Sequence, residues 1–121
     1  MALCKNTQTN IKELRVDMRI LMELIEKAED TMEEVEFYAE KAHSLRATHK
    51  ELADTYIELA ETHIEIYKKL HKEMVELIEE EKRKGVQPPA SMVEMWNFQH
   101  ERLVKDFSEL KYLVAEYHNP S

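Results

Sequence analysis

The chain has 121 residues, of which 43% are hydrophobic and 35% are charged, with one glycine, three prolines and a formal net charge of −8. Such a composition is typical of long amphipathic helices and excludes an extensive β-sheet, which needs more turn residues and β-branched runs. The acidic balance disfavours direct binding to nucleic acid or to an anionic membrane and is compatible with a basic protein partner.

The first predicted helix begins at Asn10, which opens a capping box, after a flexible N-terminus over residues 1–9. Its apolar residues recur in strict 3-4 alternation, the pattern of a bundle or coiled-coil seam. They are Ile11, Leu14, Met18, Leu21, Ile25, Ala28, Met32, Val35, Ala39 and Ala42. Thr31 and Glu34 have the spacing to cap a new helix, but the seam passes through them in phase, which predicts one continuous helix.

The second predicted helix opens at Thr48, which has Glu51 at the capping-box spacing, and ends near Lys84, before Gly85. Its seam contains one histidine among apolar residues: Ala53, Ile57, Ala60, Ile64, Tyr67, His71, Met74 and Ile78. A second, adjacent stripe makes this face wide enough to contact two neighbouring helices. The members of this second stripe are Leu52, Tyr56, Leu59, His63, Ile66, Leu70 and Leu77.

A turn with Pro88 and Pro89 separates the second helix from a third, because a proline moves the preceding residue out of the α-helical region. The third predicted helix opens with a cap at Ser91 and runs to about Tyr117, which leaves residues 119–121 as a tail. Its seam again contains one histidine: Val93, Trp96, His100, Leu103, Phe107, Leu110, Val114 and Tyr117.

These elements predict an all-α fold, an antiparallel three-helix up-down-up bundle with coiled-coil-like packing, as one domain over residues 10–118. The wide apolar face of the second helix places that helix in the middle of the bundle. The first helix is longer than the third, so we expect an uncovered apolar surface around residues 11–21. An uncovered surface of this kind predicts a homo-oligomer.

The seam histidines His71 and His100 occupy positions where hydrophobic residues are expected. A count from the proline turn, at about 1.5 Å per residue, places both at nearly the same level, where they can form one polar layer. Two acids lie close to this layer: Glu23 on the first helix, which a similar count places at the level of His71, and Glu101 beside His100. The layer is interpreted in two ways: a pair that fixes helix register, or a site for a metal or small ligand.

A metal-dependent or catalytic function is not predicted. The Glu-x-x-His spacing occurs once, at Glu40 and His43, whereas a di-iron carboxylate bundle needs it on two helices. A single glycine excludes a glycine-rich phosphate loop. We therefore predict no cofactor, no metal ligands, no catalytic residues and a non-enzymatic function.

An acidic strip lies between Lys27 and Lys41 and contains no basic residue. Its members are Glu29, Asp30, Glu33, Glu34, Glu36 and Glu40. Such a strip is either a solvated helix face or a binding surface for a basic protein, including one that itself binds nucleic acid.

The location is predicted from three features. The single cysteine, Cys4, excludes an intrachain disulfide and fits a reducing compartment. The chain has no apolar run of about 18 residues that could span a bilayer, and its N-terminus lacks the apolar core of a signal peptide. We therefore expect a cytoplasmic protein without a membrane partner.

Residues 50–118 contain a set of short motifs. These are Ala53-Asp54, Tyr56, Leu59-Ala60, Leu70-His71, Pro88-Pro89, Met92, Trp96, His100 and residues 113–117. The region resembles small helical, ferritin-like-looking proteins encoded by tailed bacteriophages and prophages. This resemblance implies an accessory protein of a bacterial host cell that acts through protein contacts, in assembly or by blocking a host factor. It implies no particular reaction.

Overall fold

The computed structural model describes the backbone of residues 2–84 and 90–120, and the side chains of these residues except 2–18, 91, 92 and 95. The described residues form three α-helices: α1 (Ala2–Leu45), α2 (Lys50–Arg83) and α3 (Ala90–His118). No strand occurs among these residues, and the helices pack against one another. The predicted all-α three-helix bundle is therefore confirmed.

The helix starts differ from the predicted ones. α1 begins at Ala2, so Asn10 lies inside the helix and is not its cap. α2 is preceded by His49 as N-cap, and no side chain caps its first turn. The hydroxyl of Thr48 instead lies 2.9 Å from Nδ1 of His49. α3 begins at Ala90, so Ser91 lies inside its first turn. The side chain of Ser91 and all of Gly85, the other predicted cap, lie outside the described part of the chain.

α1 is continuous through Asp30 and Thr31, as the unbroken seam predicts. Thr31 is buried, and its hydroxyl donates a hydrogen bond to the Lys27 carbonyl at 2.7 Å. The polar group of Thr31 is thereby satisfied within the helix, so no turn is needed to accommodate it.

The core follows the three predicted seams, but side-chain size sets the spacing of the helices. α1 and α2 approach each other most closely, and their seams contain five alanines that are 0% exposed: Ala28, Ala39, Ala42, Ala53 and Ala60. The backbones of α2 and α3 lie farther apart because stacked rings fill the space between them.

The expectation that α2 lies in the middle of the bundle is wrong. All three pairs of helices are in contact, so the bundle is triangular. Part of the second stripe of α2 remains exposed to solvent: Leu52, Leu59 and Ile66 are 47%, 37% and 42% exposed.

The relative positions of α1 and α3 follow from two contacts. His43 lies beside Leu113 and Glu29 beside Arg102, so α3 runs parallel to α1 and begins level with about residues 17–20. The first part of α1 therefore extends beyond the start of α3. Leu21, at the end of the surface predicted to be uncovered, is fully buried. The side chains of residues 11–18 lie outside the described part of the chain.

Candidate functional site

The two seam histidines are in direct contact. Nε2 of His71 and Nε2 of His100 lie 3.0 Å apart, and the ring centroids are separated by 5.1 Å at an interplanar angle of 19°. The prediction that His71 and His100 meet in one layer is confirmed. A hydrogen bond between these atoms requires one nitrogen to donate and the other to accept, so at least one of the two imidazoles is neutral.

The histidine layer belongs to a continuous stack of rings between α2 and α3. The stack runs Phe107, Tyr67, His71, His100, Trp96, with centroid separations between 4.3 and 6.0 Å. Burial, with a smaller contribution from His100, lowers the pKa of His71. Burial, with a contribution from the Asp106 charge, raises the pKa of Tyr67 to about 12. Both shifts favour the neutral side chains that stacked core packing requires.

In the described part of the chain, the predicted acids Glu23 and Glu101 form no hydrogen bond with the histidine pair. Both acids are exposed. Nor do any three His, Cys, Asp or Glu side chains of the described residues cluster in a way that could hold a metal ion. The two imidazoles are each other's polar partners.

The Glu-x-x-His pair of α1 is also divided. Nε2 of His43 donates a hydrogen bond to the Leu113 carbonyl at 2.8 Å, which ties α1 to α3. Glu40 is exposed and lines a groove beside α3. The two side chains therefore have separate structural surroundings, and the spacing does not mark a shared metal site.

The acidic strip is divided between two faces of α1. The 4-3-4 spacing of Glu29, Glu33, Glu36 and Glu40 places them on one helix face, where they line a groove of about 490 Å³ between α1 and α3. Asp30 and Glu34 do not line it. We call this feature the acidic groove; its other lining residues are Met32, Arg102, Asp106, Glu109, Leu110, Tyr112 and Leu113.

The acidic groove has an excess of negative charge. Arg102 is the one basic side chain among its described lining residues, and it lies 3.7 Å from Glu29 and 3.8 Å from Asp106. Arg102 therefore offsets charge at one end only. No described basic side chain lies within ion-pair distance of the remaining carboxylates, those of Glu33, Glu36, Glu40 and Glu109.

The acidic groove also has apolar contact area. Met32 and Leu110 are buried at its base, and Leu113 is half-buried beside them. Tyr112 lines the same groove and is 66% exposed. An apolar base with charged edges is the arrangement with which proteins bind an amphipathic helix of opposite charge.

A polar cluster at the end of the bundle where α2 begins was not predicted from the sequence. The Tyr117 hydroxyl donates to Oδ1 of Asp54 at 2.5 Å, and Nζ of Lys50 donates to the same oxygen at 2.8 Å. The spacing of Lys50 and Asp54 is visible in the sequence as an i,i+4 pair. Tyr117 follows 63 residues after Asp54, and no local pattern links them.

The pKa shifts in this cluster favour an anchoring role. The hydrogen bond with Asp54 raises the pKa of Lys50, and the hydrogen bonds from Lys50 and Tyr117 lower the pKa of Asp54. Burial, followed by the hydrogen bond to Asp54, raises the pKa of Tyr117. A nucleophilic lysine or a basic tyrosine would need a lowered pKa, and an acid catalyst a raised one. The cluster therefore fits a tie between the end of α3 and the start of α2.

Comparisons of this chain with protein-family models, with curated proteins and with solved structures found no match. The fold and the groove together define the class: an all-α three-helix bundle with an acidic groove beside α3. In the described part of the chain, no helix combines the length and the apolar character that crossing a membrane requires.

Proposed function

We propose that this protein is a non-enzymatic interaction protein that binds a basic protein segment in the acidic groove. One observation carries the proposal: six carboxylates from two helices converge over an apolar base. They are Glu29, Glu33, Glu36, Glu40, Asp106 and Glu109.

The chemistry of the acidic groove specifies the partner. Uncompensated carboxylates attract Lys and Arg side chains and speed association, with a strong dependence on salt. Most of the affinity comes from apolar and aromatic contacts that become buried on binding. Here the half-buried Leu113 and the exposed Tyr112 offer that surface, above the buried Met32 and Leu110. An amphipathic helix with basic residues on its edges satisfies both requirements.

In this proposal, the interaction serves an accessory role in a bacterial host cell. The resemblance of residues 50–118 to proteins of tailed phages and prophages supports assembly, or the blocking of a host factor, as the outcome of binding. A basic host protein, including one that itself binds nucleic acid, has the charge that the acidic groove needs.

The alternative function is binding of a small ligand or metal at the histidine layer. It has less support than the groove because His71 and His100 already satisfy each other. The described residues also provide no third ligand beside them, and two imidazoles alone make an incomplete metal site.

The proposed function is tested with a fluorescently labelled synthetic helix of Lys and Leu residues, added to the full chain and followed by fluorescence anisotropy. We expect saturable binding at low salt that weakens at about 1 M salt, where charges are screened within about 3 Å. A peptide with Glu in place of Lys should not bind.

Two matched double variants locate the binding. Glu33→Lys/Glu36→Lys reverses two groove carboxylates and should weaken binding at least about tenfold. Glu23→Lys/Asp30→Lys makes the same charge change at two exposed positions of α1 that do not line the groove. It should bind like the wild type. Equal weakening by both variants would show attraction by net charge alone and contradict the proposal.

A further inference from the structure

The start of α1 contains a segment whose charge is opposite to that of the acidic groove. Residues 2–19 contain four basic and two acidic side chains, a net charge of +2 in a chain whose net charge is −8. These are Lys5, Lys12, Arg15 and Arg19 against Glu13 and Asp17. Apolar Ile11, Leu14 and Met18 recur in the same segment at helical spacing. The sequence of this segment is therefore that of a basic amphipathic helix.

In the backbone, this segment extends beyond the start of α3. α1 is helical from Ala2, and α3 begins level with about residues 17–20 of α1. Because α1 is one continuous helix, the segment cannot fold back into the groove of its own chain. The groove begins at Glu29, ten residues after Arg19 on the same helix. This separation corresponds to about 15 Å along the helix axis.

We infer that residues 2–19 of one copy bind in the acidic groove of a second copy. This inference rests on the proposed function of the groove and names its occupant. The groove carboxylates of α1 extend from Glu29 to Glu40, which is about 17 Å along the helix axis. Residues 2–19 span about 27 Å as a helix, so the segment is long enough to fill the groove. Opposite charge selects this segment over the acidic remainder of the chain.

The contact joins two different surfaces, so each added copy presents a new free groove or a new free segment. Such heterologous contacts build rings or open chains instead of a closed symmetric dimer. A basic partner protein would compete with the segment for the same groove. Binding of the partner would therefore dissociate the assembly.

The test is sedimentation velocity of the full chain over a range of concentrations at low and high salt. The wild type should self-associate, and salt should weaken the association. Lys12→Glu/Arg15→Glu in the segment and Glu33→Lys/Glu36→Lys in the groove should each weaken it at least about tenfold. The variant that combines all four substitutions restores opposite charges and should regain association. Glu23→Lys/Asp30→Lys should behave like the wild type, and circular dichroism of each variant checks that the helices are retained.

Each outcome decides between the inference and the proposed function. A wild type that stays monomeric while it still binds the Lys and Leu peptide overturns the inference and leaves the proposed function intact. Association that the four-substitution variant fails to regain, with its helices retained, overturns the inference too. If the chain neither self-associates nor binds the peptide, both the inference and the proposed function are wrong.

Discussion

Nε2 of His71 and Nε2 of His100 lie 3.0 Å apart between α2 and α3, and each imidazole is the hydrogen-bonding partner of the other. We interpret this pair as a device that fixes the axial position of α3 against α2. A slip of one helical turn would leave both imidazoles half-buried without a partner, which the matching of a polar pair prevents.

A double-mutant cycle measures this coupling. His71→Leu alone leaves His100 without its partner and should lower the free energy of unfolding by about 1–3 kcal/mol. His71→Leu/His100→Leu removes both polar groups and should be within about 1 kcal/mol of the wild type, or more stable. Urea unfolding of the wild type, both single variants and the double variant provides the values. Losses that simply add would show that the two histidines are not coupled.

The same pair predicts a pH dependence of stability. Burial and His100 hold the pKa of His71 below its ordinary value of 6.5 in the folded state, so the unfolded state takes up this proton first as the pH falls. The contribution of His71 is therefore complete above about pH 6.5 and is lost as the pH falls through its folded pKa. Urea unfolding at about pH 7.5 and pH 5.5 should show a larger loss for the wild type than for His71→Leu/His100→Leu. An equal loss in both proteins would contradict the assignment.

The histidine layer should hold no metal. The full chain, purified without a chelator, should contain no stoichiometric zinc, nickel, copper or iron by elemental analysis, because two imidazoles without a third ligand bind weakly. His71→Leu serves as the comparison. Stoichiometric metal in the wild type that is absent from His71→Leu would establish the alternative function.

Tyr117→Phe tests the tie between the end of α3 and the start of α2. Loss of the hydroxyl removes the donor to Asp54 and should lower the melting temperature by about 2–6 °C. Tyr112→Phe makes the same chemical change at a side chain that is 66% exposed and should leave the melting temperature unchanged. Equal melting temperatures for the two variants would show that the Tyr117 hydroxyl contributes no stability.

The contact between His71 and His100 was predictable because it depends on the pattern within each helix and on the position of the turn between the two helices. Both residues lie in phase on their seams, and the proline turn fixes where α2 and α3 end and begin. The 3-4 alternation also predicted the continuity of α1 through Thr31 for the same reason: the pattern of one helix is written in that helix.

The side of α1 that α3 covers was not predictable from periodicity. It depends on side-chain volumes, since buried alanines such as Ala39 and Ala60 let α1 approach α2 closely while rings such as Tyr67 hold α2 and α3 apart. This geometry turns Glu33 and Glu36 toward α3 and leaves Asp30 outside the groove. The division of the acidic strip into a groove face and an outer face therefore required the structure.

The central claim, that the acidic groove is a binding surface for a basic segment, is tested most directly by methyl chemical-shift mapping. The full chain is labelled at Met and Leu methyl groups and titrated with the Lys and Leu peptide at low salt. We predict shifts of Met32, Leu110 and Leu113, which line the groove, and none for Leu59, an exposed residue of α2 outside it. Shifts confined to the exposed stripe of Leu52 and Leu59, or no shifts at any methyl group, would contradict the claim.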